Sequence, residues 1–264
     1  MNASRFRNQG LTSVCILAFA VALSAQTQTP TKPYEPTVGQ AGKDVVWVPS
    51  PEALVGRMLD MAKVTPQDLV MDLGSGDGRT VIMAAKRGAT AIGVEYNPDM
   101  VNLSRKNAQT QGVAGKTTFV QADLFQTDLS KPTVITMFLL PSINMKLRPT
   151  LLNLKPGTRI VSNSFDMEDW QADETATLGP EGCTSWCKAM LWIVPAKAEG
   201  RWKTPQGELT IVQKFQMITG TLGSTPINGK IVGDQITFTA GSTKHTGRVN
   251  GKAIEGGTLS ATKI

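Results

Sequence analysis

Hydrophobic positions follow two different patterns along the chain, and the change falls near residue 197. Up to that point, short apolar runs alternate with segments that have helical spacing of apolar residues. Beyond it, short β-prone stretches are separated by glycine-rich turns. Alternating strands and helices predict an α/β, doubly wound Rossmann-like sheet with right-handed crossovers, whereas the second pattern is typical of antiparallel strands.

The first region has the pattern of seven strands. They are predicted at Leu69–Leu73, Ala91–Glu95, Thr117–Gln121, Thr133–Leu140, Arg159–Phe165, Thr175–Leu178 and Lys188–Val194, the last two as an antiparallel pair. Ser50-Pro51-Glu52 predicts a helix start with the Ser50 hydroxyl as cap, and Asn97-Pro98 predicts another. Further helices are expected at Arg79–Lys86 and around Leu147–Leu154, where Pro149 should bend or restart the helix.

The second region is predicted to be a small antiparallel β-meander domain at residues 201–262. Its strands are expected at Leu209–Met217, Ile227–Val232, Gln235–Thr239 and Thr246–Val249. The pairs Thr219-Gly220, Asn228-Gly229, Gly233-Asp234 and Asn250-Gly251 are expected to be turns between them.

The first 25 residues have the pattern of a secretory signal peptide. Arg5 and Arg7 precede an apolar run, Leu11 to Leu23, and Ala22 and Ser24 fit a small-x-small cleavage site. We therefore expect an exported or periplasmic protein, with an uncleaved membrane anchor or a plain N-terminal extension as the alternatives. Residues 26–44 are rich in Pro, Thr, Gln and Gly and are expected to be a disordered linker. The first folded domain is then predicted to span residues 45–196.

Charge and cysteine content exclude several classes of site. Of the net charge of +6, residues 197–264 carry +5, from nine Lys/Arg against four Asp/Glu. No basic stripe accompanies the α/β region, so nucleic acid is not an expected partner. Cys183 and Cys187 could form a small-loop disulfide or remain free thiols, and with the lone His245 they do not make a metal-ligand set.

The candidate chemistry begins where the first predicted strand ends, at Asp72-Leu73-Gly74-Ser75-Gly76-Asp77-Gly78. Gly74 and Gly76 let the backbone pass close to a ligand. A glycine-rich turn alone is a weak signal, because dinucleotide-binding folds use a related one. The acid before the turn suits a cationic ammonium rather than a pyrophosphate, and the Gly-x-Gly-x-Gly spacing differs from that of dinucleotide folds. Both features favour S-adenosylmethionine, with Asp72, Gly74, Ser75 and Gly76 as cofactor-binding residues.

Two more acids follow the next two strands. Glu95, about 20 residues on, is placed to accept hydrogen bonds from both hydroxyls of a ribose, with Asn97 beside it. Asp123 is placed to bind an adenine amino group, with Leu124 against the ring. Isolated strand-end acids are often merely solvated, but three at successive strand ends predict one binding site.

Together with the Lys155-Pro156-Gly157 turn, these motifs resemble those of class I S-adenosylmethionine-dependent methyltransferases. The stretches Trp47-Val48-Pro49-Ser50-Pro51-Glu52 and Gly93-Val94-Glu95-Tyr96-Asn97-Pro98 are similar to those of a narrower group. That group contains the mitochondrial protein-lysine methyltransferases that act on the c-type subunit of ATP synthase and on the adenine nucleotide translocase. The resemblance implies a seven-stranded methyltransferase sheet and a helix, entered through Val48-Pro49, that helps close the site. It does not include the second domain.

The fourth predicted strand ends in Phe138-Leu139-Leu140-Pro141, where methyltransferases meet their acceptor. This differs from the Asn/Asp-Pro-Pro-Tyr/Phe motif of enzymes that methylate base or glutamine nitrogens. An apolar lip could hold a lysine stem and desolvate its amine, although plain strand-end packing would give the same residues.

The sequence thus predicts a methyltransferase whose acceptor is a protein lysine, with membrane proteins among the candidate substrates and an undetermined oligomeric state. The alternatives are a small-molecule methyltransferase and a non-catalytic adenosylmethionine-binding protein. Export also conflicts with a cofactor that is made in the cytoplasm.

Overall fold

The computed structural model describes Met1 and residues 34–264. The predicted signal peptide and residues 26–33 of the predicted linker lie outside the described residues. Four α-helices are present: α1 (Glu52–Met61), α2 (Arg79–Lys86), α3 (Pro98–Thr110) and α4 (Pro141–Leu151). Seven strands accompany them: β1 (Leu69–Leu73), β2 (Thr90–Glu95), β3 (Thr117–Gln121), β4 (Val134–Met137), β5 (Arg159–Asn163), β6 (Glu174–Thr177) and β7 (Lys188–Ile193).

The seven strands form one sheet in the order β3-β2-β1-β4-β5-β7-β6. The first five are parallel, and β7 and β6 are antiparallel, as predicted. An apolar core lies on each face of the sheet, one packed by α1 to α3 and the other by α4. The strand order reverses direction at β1 and β4, and ligands bind at the carboxyl ends of strands beside such a point.

Several predicted boundaries in the first region were wrong. Strand β4 ends at Met137 rather than Leu140, because the chain leaves the sheet to start α4 with Pro141 at its first position. Helix α4 continues through Pro149 and ends two residues later, at Leu151. Ser50 does not cap α1, since Pro51 is the N-cap residue. The Ser50 hydroxyl instead accepts a hydrogen bond from Asn163 Nδ2 at 3.0 Å, which ties the start of α1 to the end of β5.

The second region is a closed antiparallel barrel of eight strands, twice the number predicted. The strands are β8 (Gly200–Thr204), β9 (Gly207–Lys214), β10 (Met217–Leu222), β11 (Thr225–Val232), β12 (Gln235–Ala240), β13 (Thr243–Asn250), β14 (Ala253–Glu255) and β15 (Ala261–Lys263). Consecutive strands pair, and β8 closes the circle by pairing with both β9 and β15. Closure leaves no free sheet edge, which a simple meander would have.

Two of the four predicted turns in this region were wrong, at Thr219-Gly220 and Asn228-Gly229. Gly220 lies inside β10 and Gly229 inside β11. A Cβ at position 220 would lie 1.9 Å from the Thr210 carbonyl oxygen, and one at 229 would lie 2.5 Å from Phe238 Cα. These glycines therefore allow close approach between strands instead of forming turns. The predicted strand Leu209–Met217 is also divided, because the chain turns at Phe215, where φ is 55°.

The barrel packs against the sheet through Phe215 and Gln216. The Phe215 ring stacks on that of Trp170 with centroids 6.0 Å apart, and Trp170 is fully buried. Gln216 Nε2 donates to the Gln171 carbonyl oxygen at 2.7 Å. In the described part of the chain, no helix is both long and apolar enough to cross a bilayer.

Candidate cofactor and acceptor site

One cavity opens at the carboxyl ends of β1, β2, β3 and β4. It is lined by all eight residues predicted to bind the cofactor: Asp72, Gly74, Ser75, Gly76, Glu95, Asn97, Asp123 and Leu124. The parallel strands bring them together, because each residue lies at or just beyond the end of a strand. Their roles toward a cofactor remain predictions, but the proximity that those roles require is present.

Asp72 is buried at the end of β1. The Thr136 hydroxyl on neighbouring β4 donates a hydrogen bond to Asp72 Oδ1 at 2.6 Å. Burial raises the pKa of Asp72 to about 7, although the hydrogen bonds from Thr136 and Thr80 favour the charged form. A ligand cation beside this carboxyl would compensate the desolvated negative charge, so the site suits a positively charged group.

The loop after β1 is shaped to receive a ligand. Gly74 and Gly76 have φ values of 74° and 53°, which disfavour a side chain. A Cβ at position 76 would lie 2.6 Å from Trp47 Nε1, so the loop also needs glycine to pass beneath that indole. The Ser75 hydroxyl is buried and finds no hydrogen-bond partner among the described residues. An unpartnered hydroxyl next to a bare backbone loop fits a polar cofactor.

Glu95 ties the loop after β1 to the end of β2. Its Oε2 accepts a hydrogen bond from Gly76 N at 3.0 Å, and its Oε1 accepts one from Asn97 N at 2.9 Å. Each carboxylate oxygen has a second lone pair, so both can still accept from ribose hydroxyls. Asn97 caps α3, as predicted, by accepting from Asp99 N.

Asp123 contacts a residue that the sequence did not indicate, Lys43. Lys43 Nζ donates to Asp123 Oδ2 at 2.6 Å, which lowers the pKa of Asp123 and raises that of Lys43. Asp123 Oδ1 accepts from Phe125 N at 2.9 Å. Lys43 belongs to residues 34–44, where a disordered linker was expected. The structure instead places it at the cavity, where backbone hydrogen bonds join Trp47 to Gly39 and Gln40.

The predicted acceptor lip lies on the same cavity, with one exception. Phe138, Leu139 and Leu140 line it, whereas Pro141 begins α4 and is not among the lining residues. Leu139 is buried, and Leu140 is 38% exposed. Phe138 belongs to an aromatic cluster with Phe165 and Trp186, which also line the cavity.

Cys183 and Cys187 form a disulfide, so of the two alternatives the structure has the bridge. It closes the loop that carries Trp186.

The residues that the sequence did not identify lacked a local signal. Thr136 is a polar residue in an apolar strand and shows its role only through β4 lying beside β1. Phe165 and Trp186 come from loops far from Phe138 in the sequence. The acid-after-strand pattern, in contrast, is visible in the sequence alone.

Residues 72–174 match the family described as the ANTKMT methyltransferase domain. A protein-lysine N-methyltransferase of Saccharolobus islandicus (strain REY15A) is 45% identical over 133 residues, which are 49% of this chain and 83% of that protein. The Homo sapiens lysine N-methyltransferase named for the C-type subunit of ATP synthase is 34% identical over 134 residues. Those residues are 50% of this chain and 57% of the human protein, so the match spans little more than half of that relative.

Among solved structures, an RNA methyltransferase from Salinibacter ruber in complex with S-adenosyl-L-homocysteine is 47% identical, with a TM-score of 0.53. The match covers 57% of this chain and 96% of that one. Since the loop after β1, the acids after β1 to β3 and these similarities agree, the chain belongs to the family of S-adenosylmethionine-dependent methyltransferases that includes the Saccharolobus islandicus protein.

Proposed function

We propose that this methyltransferase acts on the side-chain amine of lysine in a protein substrate. The observation that carries the proposal is the apolar and aromatic acceptor end of the cavity, formed by Phe138, Leu140 and their neighbours. An aliphatic lysine stem suits such a surface, and an amine at its end is desolvated. The names of the Saccharolobus islandicus and human relatives support the same acceptor.

The cofactor would be held by Asp72, Glu95 and Asp123, which suit an ammonium group, a ribose and an adenine amino group respectively. When bound, it supplies an electrophilic methyl group, whose bond to sulfur breaks as the bond to the acceptor nitrogen forms. The protein contributes proximity and orientation, which can account for much of the rate of such a transfer.

The lysine must lose a proton before it can react. At pH 7 deprotonation of an ordinary lysine costs roughly 4–5 kcal/mol. The apolar lip reduces this cost because burial disfavours the ammonium form. The only histidine of the chain, His245, lies in β13 of the barrel, so it is not a base at this site. The proton would therefore leave to water.

RNA is the second candidate acceptor, because the Salinibacter ruber structure is described as an RNA methyltransferase. The residues after β4 favour lysine over a base nitrogen. A base-methylating site of the Asn/Asp-Pro-Pro type uses an amide and backbone carbonyls to hold the nitrogen, and here the corresponding residues are Phe138, Leu139 and Leu140.

Enzymatic sorting of the methylated product tests the acceptor class. Membrane and soluble extracts would be incubated with the protein and methyl-radiolabelled cofactor, and then treated with protease or ribonuclease. We expect label that protease releases and ribonuclease does not, with the membrane fraction testing whether the substrate is a membrane protein. Ribonuclease-sensitive label would support RNA, and label that is soluble without either treatment would support a small molecule.

We also propose that the protein is exported. The pattern of residues 1–25 and the Cys183–Cys187 disulfide support this, because disulfides persist in oxidising compartments. The mature chain should then begin near Ala25 or Gln26, and the two cysteines should resist thiol labelling until reduced. Intact Met1 in soluble cytoplasmic protein would refute export and remove the conflict with a cytoplasmic cofactor.

A further inference from the structure

Three aromatic rings from three separate segments meet at the acceptor end of the cavity. Phe138 follows β4, Phe165 follows β5 and Trp186 lies between the two bridged cysteines. The ring centroids are 5.9 Å apart for Phe138 and Phe165, 5.8 Å for Phe138 and Trp186, and 5.3 Å for Phe165 and Trp186. We call these three residues the aromatic trio.

Two features of the aromatic trio differ from ordinary core packing. Trp186 is 44% exposed, and its backbone has φ of 57°, a conformation that bulky residues rarely adopt. The disulfide spans this residue and restrains its backbone. An exposed tryptophan held in an unusual backbone conformation at a binding cavity indicates a functional constraint.

We propose that the aromatic trio stabilises the positive charge on the acceptor nitrogen through cation–π interactions. This rests on the proposed lysine acceptor. As methyl transfer proceeds, the nitrogen lone pair forms the new bond to carbon, the electrons of the carbon–sulfur bond go to sulfur, and the positive charge passes to nitrogen. Aromatic faces attract alkylated ammonium groups, and tryptophan does so most strongly.

The dimensions of the trio suit one such cation. With these separations, a nitrogen about 4 Å above the centre of the three rings would lie about 5 Å from every centroid, within the roughly 6 Å range of the interaction. Phe138 and Phe165 are within 21° of parallel, so each has one face on the same side. Trp186 is inclined to them by 59° and 48° and adds a third wall.

Binding of a charged ligand and its neutral isostere tests the proposal without any turnover. The ligands are N-acetyl-trimethyl-lysine methylamide and the same molecule with carbon in place of the quaternary nitrogen. Each would be titrated calorimetrically into protein saturated with S-adenosylhomocysteine. We expect the unmodified protein to bind the charged ligand at least about fivefold more tightly, because shape and apolar area are matched and only the charge differs.

Two substitutions of Trp186 separate the aromatic face from apolar bulk. Trp186→Phe should keep most of the preference, whereas Trp186→Leu should reduce it to about twofold or less. Affinity for S-adenosylhomocysteine should be unchanged in both and reports correct folding. If Trp186→Leu loses that affinity, Phe165→Leu is the substitute variant, with the same expected loss of preference.

Equal binding of the two ligands by the unmodified protein would overturn the proposal, as would full preference in the leucine variant. These outcomes are independent of the acceptor assignment. A preserved cation preference without any methyl-lysine product would leave the aromatic trio as a cation site and refute lysine as the acceptor.

Discussion

The carboxyl group of Asp72 is buried against Thr136 before any cation is present, and its pKa is raised to about 7. An acid with a raised pKa binds more protons when folded than when unfolded between about pH 4 and pH 7. The free energy of unfolding of the cofactor-free protein therefore falls over that range as pH rises. Asp72 thus costs stability at neutral pH, and we attribute this to its role in binding a cation.

Asp72→Asn should consequently be more stable and bind less well. We expect the cofactor-free variant to gain about 1–3 kcal/mol in urea unfolding at pH 8, since the uncharged amide is cheaper to bury and can still accept from Thr136. Calorimetry should show weaker binding of S-adenosylmethionine. A variant that is less stable at pH 8, yet binds normally, would contradict this account of Asp72.

Glu95 connects the two loops through hydrogen bonds to Gly76 N and Asn97 N. Glu95→Ala removes both and any acceptor for a ribose. We expect a loss of roughly 1.5–3 kcal/mol in adenosylmethionine binding, about 10- to 100-fold by calorimetry. Glu181→Ala, at an exposed position in a loop that does not line the cavity, is the matched control and should bind normally. Unchanged binding in Glu95→Ala would mean that the cofactor lies elsewhere.

Leu140 is the exposed member of the acceptor lip. Leu140→Asp places a carboxylate beside the acceptor amine and should keep that amine protonated. We expect turnover at pH 7–8 to fall more than tenfold, with cofactor affinity changed less than about threefold. Leu140→Asn controls for polarity without charge and should lose much less. Equal losses in the two variants would indicate that packing, and not amine charge, determines the effect.

At this scale the sequence indicated one half of the site better than the other. Asp72, Glu95 and Asp123 each follow a strand, and parallel topology alone brings such positions together. Lys43 and Trp186 reach the cavity from outside the strand pattern, so their positions depend on how irregular segments pack. No local periodicity encodes that packing.

At the scale of elements, the barrel and the sheet meet where Phe215 stacks on the buried Trp170. The boundary between predicted domains near residues 197–200 is still a prediction. A protein truncated after Ala198 should fold and bind cofactor, because the sheet ends with β7 at Ile193. It should be less stable, since Trp170 becomes exposed to water. Fluorescence-detected urea unfolding and calorimetry would measure both.

The matched comparison for the truncation is Phe215→Ala in the full-length chain. Loss of a partly buried aromatic contact should destabilise the sheet by about 1–3 kcal/mol without removing the barrel. Loss of cooperative unfolding in the truncated protein would make the barrel part of the folding unit.

Element prediction succeeded where the apolar period was clear. Strand β3 was predicted at its observed bounds, and α3 began at the predicted Asn97 cap. The barrel was underpredicted because Gly220 and Gly229 have the composition of turns but serve close strand contacts. Closure depends on β8 pairing with β15, about 60 residues apart, which no local pattern specifies.

At the scale of the whole molecule, an S-adenosylmethionine-dependent methyltransferase sheet is joined to a barrel region that carries most of the excess positive charge. Residues 197–264 account for +5 of the net +6. The aromatic and apolar acceptor end belongs to the sheet, so the chemistry of the acceptor is determined there. The barrel is left to recognise or position the substrate.

The most direct test of the central claim is mass spectrometry of proteins methylated with trideuteromethyl-labelled S-adenosylmethionine. Cell extracts would be incubated with the protein between pH 7 and 9, digested, and searched for the label on each amino acid. The account predicts trideuteromethyl groups on lysine, formed faster as pH rises because more of the amine is neutral. Label confined to RNA, to small molecules or to other side chains would contradict it, as would a flat rate across this range with chemistry limiting.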